Sequence, residues 1–387
     1  MISRGFMNDY FPSKLALGEQ FCNRTKEKDF LKININKHRH TVIIAPRRYG
    51  KSSLVFKVVT ELELPFASVD LFLAHDDAAV TKRILTGIGQ AVSQIMPREQ
   101  KILVKLQSIF SKFRVSLSAQ GFNIDAAFDQ HRLDSVDQIF SGLEALSKLA
   151  KDCKKNIIFF IDEFQDIKEA ANSKSIQGAI RHIAQESSSL TFIFSGSNRR
   201  LLLELFDDKS KPLYMLCDML TLERMRSQDY QAHLEKCAME KWGKVLPDMI
   251  FNKIMALTEL HPYYVNLLCN EIWKIKSMPS LDVIFDCWQI CYDDHEDRLI
   301  SDLEKLTVKQ QDILKALALN PVIEPTGQSF VSASKTPASS IAQTIKVLMN
   351  KDMVYKIKKI DASIPQIELS QIRVLDPLLA YALKKYE

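Results

Sequence analysis

No stretch of this 387-residue chain approaches the roughly 20 consecutive apolar residues that a membrane-spanning helix needs. The opening Met1-Ile-Ser-Arg-Gly-Phe-Met-Asn-Asp lacks the long apolar segment of a secretory signal. Cysteine is sparse: seven residues, Cys22, Cys153, Cys217, Cys237, Cys269, Cys287 and Cys291, are scattered with no Cys-x-x-Cys pair. That pattern excludes a disulfide framework and points to reduced, mostly buried thiols. Cys287 and Cys291 stand four apart on a predicted helix, but a metal site needs further ligands and only His295 is near, so helix packing accounts for them. A strong charge of one sign is also lacking. The net +5 is too small to announce nucleic-acid binding by itself. Internal repeats and low-complexity segments are absent too. The expectation is an ordinary soluble, cytoplasmic protein, long enough for two or three cores.

What is present is an alternation of short β-rich runs and longer amphipathic stretches from about residue 21 to 196, the pattern of a parallel sheet covered by helices. The runs 41–44, 66–72, 157–161 and 190–195 are almost continuously apolar, as strands buried on both faces must be. Between the second and third, helices are predicted over 79–95 and 135–149, with a small hairpin around 114–123. From residue 227 the strand signal disappears, and the pattern predicts helices over 227–242, 247–257, 262–278 and 281–306. Thr307-Val-Lys-Gln310 has the form of a capping box that opens a helix over 308–319. A polar turn region, 321–334, follows. Thr336-Pro337, an N-cap before proline, then starts a helix to about Lys351. Strand-like runs at 353–358 and 366–374 and a closing helix over 377–386 complete a winged-helix order. The expected division is therefore an α/β domain over 1–218, a helical lid over 219–303 and a winged helix over 304–387.

Three motifs carry chemistry. The strand 41–44 runs into Ala45-Pro46-Arg47-Arg48-Tyr49-Gly50-Lys51-Ser52-Ser53, which opens an amphipathic helix. This is a Walker A arrangement. Backbone N–H groups at a helix start wrap a phosphate, Lys51 neutralises the outer phosphate oxygens and the Ser52 hydroxyl ligates Mg²⁺. Ala45 stands where the motif has its first glycine. The second motif, Asn156-Ile-Ile-Phe-Phe-Ile-Asp162-Glu163, has the form of Walker B, with Asp162 in the Mg²⁺ shell and Glu163 orienting and deprotonating the attacking water. Two adjacent carboxylates at the end of a buried strand are costly unless a cation or donor compensates them. The third is Leu190-Thr-Phe-Ile-Phe-Ser195-Gly196-Ser197-Asn198, whose tip offers Ser195 or Ser197 as a γ-phosphate sensor beside Walker B; an ordinary strand-ending turn explains either serine equally well.

Further residues occur in the same order: Arg24 and Glu27 near the start, Pro46-Arg47-Arg48 before Gly50-Lys51, Ile161-Asp162-Glu163-Phe164-Gln165, Phe194-Ser195-Gly196-Ser197, His261-Pro262-Tyr263-Tyr264 and Leu375-Asp376-Pro377-Leu378. With them the chain resembles, from about residue 21 to 383, the archaeal-type ATPases of the STAND branch of AAA+ P-loop NTPases, relatives of the origin-recognition ATPases. The resemblance implies an α/β nucleotide-binding domain with a helical lid and a winged helix. It also implies binding of ATP with Mg²⁺ and slow hydrolysis used as a switch. His261 and Pro262 would then open a lid helix whose start faces the nucleotide. The chain departs from the family pattern at Ala45 and at Leu260-His261-Pro262, where Gly-x-Pro is usual. It departs again at Met215-Leu216, where Gly-Arg often follows a Pro-Leu-Tyr such as Pro212-Leu213-Tyr214. Arg181, Arg199 and Arg200 are the arginines that the resemblance offers for action on a neighbouring subunit, with solvated or ion-paired surface roles as the plainer reading.

The winged-helix segment carries Lys335, Lys346, Lys351, Lys356, Lys358 and Lys359 against the single acid Asp352, where phosphate contacts with DNA would fall. Arginine, the better base reader, is absent from its helix, and a solvated face explains lysines equally well. Three functions remain in view: an ATP-operated switch acting on a protein partner or by self-association, a DNA-binding module regulated by ATP, and a degenerate ATPase holding a structural nucleotide.

Overall fold

The computed structural model describes residues 10–12, 14–126, 133–356 and 371–385. They form two compact units. One contains Arg24–Arg47 and Lys51–Glu223; the other contains the chain from Arg224 onward, together with Arg48–Gly50 and the described residues before Arg24. Each unit has its own hydrophobic cluster.

The α/β unit runs α1 (Thr25–Asn36), β1 (Thr41–Ile44), α2 (Lys51–Glu61), β2 (Phe66–Asp70), α3 (Asp77–Ile95), α4 (Gln100–Ile109), β3 (Phe113–Ser118), β4 (Gly121–Ala126), α5 (Ser135–Asp152), β5 (Ile157–Asp162), α6 (Ser173–Glu186), β6 (Leu190–Gly196), α7 (Arg199–Phe206) and β7 (Asp218–Thr221). Five strands make a parallel sheet in the order β2-β5-β6-β1-β7. The central strands β1 and β6 are buried along their whole length, and β5 is buried up to Asp162. The helices begin where side chains satisfy their free N–H groups: Asp76 accepts from the amide of Ala79 at 2.7 Å and Asp134 from that of Asp137 at 2.8 Å. The expected hairpin is β3–β4, paired from Phe113–Ala126 to Ser118–Gly121. Strand β7 was not expected. An edge strand of four residues, Asp-Met-Leu-Thr, of which only Leu220 is buried, has no continuous apolar signature.

The second unit contains α8 (Ser227–Trp242), α9 (Asp248–Thr258), α10 (Pro262–Ile272), α11 (Leu281–Asp293), α12 (Glu296–Glu304), α13 (Val308–Leu319), α14 (Gln328–Ala333), α15 (Ala338–Asn350), β8 (Val354–Lys356), β9 (Ile372–Val374) and α16 (Pro377–Lys385). The predicted helix over 281–306 is two helices that break at Asp294-His295, and the helix predicted to reach 278 ends at Ile272. The turn region 321–334 contains α14 and a bridge between Val322 and Ile372 beside the β8–β9 hairpin. The capping box forms as expected, with Gln310 N donating to Thr307 Oγ1 and Thr307 N to Gln310 Oε1. Thr336 does not cap α15. Its hydroxyl donates to Ser334 O at 2.9 Å, and Pro337 takes the cap position. The predicted strand segments beyond Lys356 and before Gln371 lie outside the described residues. Among the described residues no helix is long and apolar enough to cross a membrane.

Candidate functional site

Strand β1 ends at Ile44, and the chain crosses residues 45–50 before α2 starts at Lys51. Gly50 sits at φ +83° with open space where a Cβ would stand, so it is the torsion, not a lack of room, that favours glycine. Arg48 is also left-handed, at φ 66°. Ala45 is buried, and the Lys51 side chain turns back over the loop, where its ammonium donates to Ala45 O at 3.3 Å and Pro46 O at 3.4 Å. Lys51 is only 6% exposed. Arg47 lies over the Phe72 ring at 5.8 Å, and its Nε reaches Ser197 Oγ at 3.5 Å. Ser53 is buried in the first turn of α2.

The sheet order brings the other motifs to this loop. Strand β6 lies between β1 and β5, so its tip sits beside both. Ser52 Oγ donates to Asp162 Oδ2 at 2.6 Å across 110 residues of sequence, and Ser195 Oγ donates to Asp162 Oδ1. Glu163, at φ 47°, follows directly. Its Oε2 accepts from Gln165 Nε2 at 2.6 Å, Ser197 N at 3.1 Å and Ser197 Oγ at 2.8 Å. Burial pushes the Glu163 carboxyl up, but the Lys51 ammonium and these hydrogen bonds outweigh it and hold it below the usual carboxylate value. Asp70, at the end of β2, is paired in register with Asp162. Its pKa is raised by burial and by the Asp162 and Glu163 charges, although Phe72 N and Arg83 pull the other way. Sequence reasoning missed Asp70, and it named Gln165 in the Asp-Glu-Phe-Gln motif without giving it a role. Only the pairing of β2 with β5 places the first, and only the turn after Glu163 places the second.

Within the second unit, His261 is buried and its Nδ1 accepts from Tyr263 N at 3.3 Å, which caps α10 ahead of Pro262. The Tyr49 ring meets the His261 ring edge-on at 4.8 Å, and the Arg48 guanidinium lies 4.1 Å over the Tyr263 ring. Arg224 joins several elements of this unit: Nε donates to Tyr49 Oη at 3.4 Å, NH1 to Glu259 Oε2 at 2.9 Å and NH2 to Leu375 O at 2.8 Å, with Tyr355 stacked beneath at 4.1 Å. Arg181 is engaged locally: NH1 donates to Pro212 O and Tyr214 O, while Arg199 and Arg200 are exposed. Lys335, Lys346, Lys351 and Lys356 are exposed, and Lys358 and Lys359 lie outside the described residues.

An ammonium, a hydroxyl and two carboxylates thus gather at the C-terminal ends of parallel strands, beside a helix N-terminus. Such a set can neutralise an anion, ligate a small hard cation and take up a proton. A family described as "Probable winged helix domain" matches residues 299–363. No curated protein matches the chain. Among solved structures, a Walker-type ATPase of Pyrococcus abyssi is similar at 17% identity and TM-score 0.67, over 97% of this chain and 99% of that one. The Aeropyrum pernix ORC2 protein in its ADPNP–ADP complexes is similar at 14% identity and TM-score 0.56, over 98% and 96%. Its ADP form gives 13% identity and TM-score 0.50, over 97% and 96%. In fold, the chain is an α/β protein of AAA+-like P-loop architecture with a C-terminal winged-helix domain.

Proposed function

We propose that this protein binds ATP with Mg²⁺ and hydrolyses it slowly, as a cytoplasmic nucleotide-operated switch of the STAND type with a nucleotide-binding part, a lid and a winged helix. The observation that carries the reading is the hydrogen bond between Ser52 and Asp162, which joins the first turn after the phosphate loop to the end of β5. Among the described residues, no group of three or more His, Cys, Asp or Glu forms a self-sufficient metal site. Two oxygens, Ser52 Oγ and Asp162 Oδ2, suit Mg²⁺, which keeps phosphate and water as its other ligands. When bound, the ion neutralises charge on the outer phosphates.

The protein's own groups then divide the work. The backbone of residues 45–50 and the start of α2 hold the phosphates, and Lys51 supplies the countercharge. Ser195 fixes Asp162. Water attacks the γ-phosphorus, the bond to the ADP oxygen breaks, and the proton of the water passes to Glu163, leaving ADP and phosphate. Lys51→Ala is expected to abolish ATP binding, measured by calorimetry; unchanged affinity would end the phosphate-loop assignment. Glu163→Gln is expected to bind ATP nearly normally and turn over at least about 100-fold more slowly, because the amide keeps the shape and loses the base. Equal turnover would remove Glu163 from that role.

The switch part rests on Tyr49. It belongs to the phosphate loop, contacts His261, and accepts from Arg224, which also holds Glu259 and Leu375. A loop that resets on loss of the γ-phosphate would pull on this set. Hydrogen exchange near residues 303–307 should therefore differ between ATP and ADP forms. His261 and Pro262 replaced by alanines should shrink that difference and weaken nucleotide affinity. Identical protection in apo, ADP and ATP forms would leave a structural nucleotide as the better account.

The exposed Lys335, Lys346, Lys351 and Lys356 favour a second reading, contact with DNA phosphates through the winged helix. Duplex binding that weakens steeply with salt supports it; no binding at low salt ends it.

A further inference from the structure

The side-chain amide of Gln165 is 5% exposed and faces two acids, donating from one nitrogen to Glu163 Oε2 at 2.6 Å and Asp166 Oδ1 at 3.1 Å. The carboxylates fix which end of the amide faces them, since a carbonyl oxygen there would be repelled. The other end carries a penalty. Among the described residues Gln165 Oε1 is buried without a hydrogen-bond partner, an arrangement that a fold does not keep without a reason. The oxygen occupies the space beside Gly196, where a Cβ on residue 196 would collide with it and stand 3.1 Å from Gln165 Cδ. Gly196 is not in the left-handed region, so its backbone torsion does not demand glycine. The demand is the room that Gln165 occupies. On either side of Gly196, Ser195 holds Asp162 and Ser197 holds Glu163 through both its amide and its hydroxyl.

All three donors to Glu163 converge on Oε2, and Oε1 has no hydrogen bond among the described residues. We infer that Gln165 is a positioning residue, which with Ser197 clamps Oε2 so that Oε1 is the oxygen presented to the attacking water, and that residue 196 is glycine to admit it. The inference rests on the ATPase reading above. It adds the element that aims the base, a role the bare Asp-Glu pair leaves open. A carboxylate rotating freely about its last torsion would present either oxygen, in many directions. Pinned on one side, it presents one lone pair on a fixed line, and that fixed line is the gain from positioning in catalysis.

The test uses the full-length chain with Gln165→Leu, which removes the donor, and Gly196→Ala, which displaces the amide without altering it. ATP affinity, single-turnover hydrolysis and the side-chain NH₂ resonances of Gln165, assigned by their loss in Gln165→Leu, are measured together. Both variants should keep ATP affinity within about threefold while the hydrolysis rate falls about 10- to 100-fold, a fraction of what a general base contributes. In the parent, the Gln165 NH₂ proton that faces Glu163 should be shifted downfield by its charge-assisted bond. That shift should collapse in Gly196→Ala and in Glu163→Gln. Hydrolysis at the parental rate in Gln165→Leu overturns the inference, as does loss of ATP affinity in proportion to rate, which marks a structural role, or an NH₂ shift indifferent to Glu163→Gln. A parent protein that does not hydrolyse ATP at all overturns the ATPase reading and this inference with it. The two failures are distinct, because in that case the Gln165 resonance still responds to Glu163→Gln while no protein turns over.

Discussion

His40 precedes β1 and shows how one side chain ties sheet to helix: Nδ1 accepts from Phe192 N at 3.1 Å and Nε2 donates to Ala184 O at 2.8 Å. Both nitrogens are engaged only in the neutral ring. Burial pushes its pKa below the ordinary 6.5, the Ala184 carbonyl pulls it up and His38 adds to the depression. As pH falls through 6.5 the unfolded chain takes a proton that the folded one refuses. The unfolded state therefore binds more protons between 6.5 and the depressed folded value, and stability rises with pH across that window and is complete above it. The melting temperature of the parent should fall more steeply below pH 6.5 than that of His40→Gln. Equal slopes in a thermal melt at several pH values would take His40 out of the acid response. At this scale the loop that opens α2 was legible, because Gly50, Lys51 and Ser52 are contiguous in sequence. The role of Gln165 was not, because its place in the Asp-Glu-Phe-Gln motif does not reveal the partners of its amide. Asp70 was hidden for the same reason: its neighbour Asp162 is adjacent only through the pairing of β2 with β5.

Among elements, those with one unambiguous physical signature were readable. Strands β1, β5 and β6 are almost continuously apolar, as strands buried on both faces must be, and α13 announces itself by its capping box. Thr307→Ala removes the acceptor for Gln310 N, and should cost about 1 kcal/mol in a denaturant melt. A change under about 0.3 kcal/mol would mean that water replaces the cap at no loss. Elements that escaped had weak or divided signals. Helix α14 is six residues long in a stretch rich in proline and serine, and the α11–α12 break at Asp294-His295 has no proline or glycine to mark it. At the end of β6, Ser195 and, one residue past the strand, Ser197 reach the two carboxylates, while Gly196 between them faces the Gln165 amide. A slip of one residue would exchange these faces.

At the scale of the molecule, nucleotide is expected to stabilise the chain by mass action, about 2.7 kcal/mol when ATP is at 100 times its dissociation constant. A melting temperature indifferent to ATP and Mg²⁺ would contradict the proposed site. The change from alternating strands to helices alone, from residue 227 onward, was legible in the sequence. The assignment of Arg48–Gly50 and of the described residues before Arg24 to the second unit was not, because no local pattern records which distant core a segment joins. Phe11 is 2% exposed, its ring meets Trp273 edge-on at 4.7 Å, and it joins the same cluster as α8 to α16. Phe11→Ala should cost about 3 kcal/mol, confined to the second unit and visible as faster amide exchange in α8 and α10 with α5 and β6 unchanged. This placement also sets an order during synthesis. The segment carrying Phe11 leaves the ribosome before any residue of the α/β unit, yet its partner Trp273 is made only after that unit is complete. Phe11 lacks its native partner while the sheet assembles, and a chain arrested before Trp273 carries an unburied aromatic that a chaperone or a protease can grip.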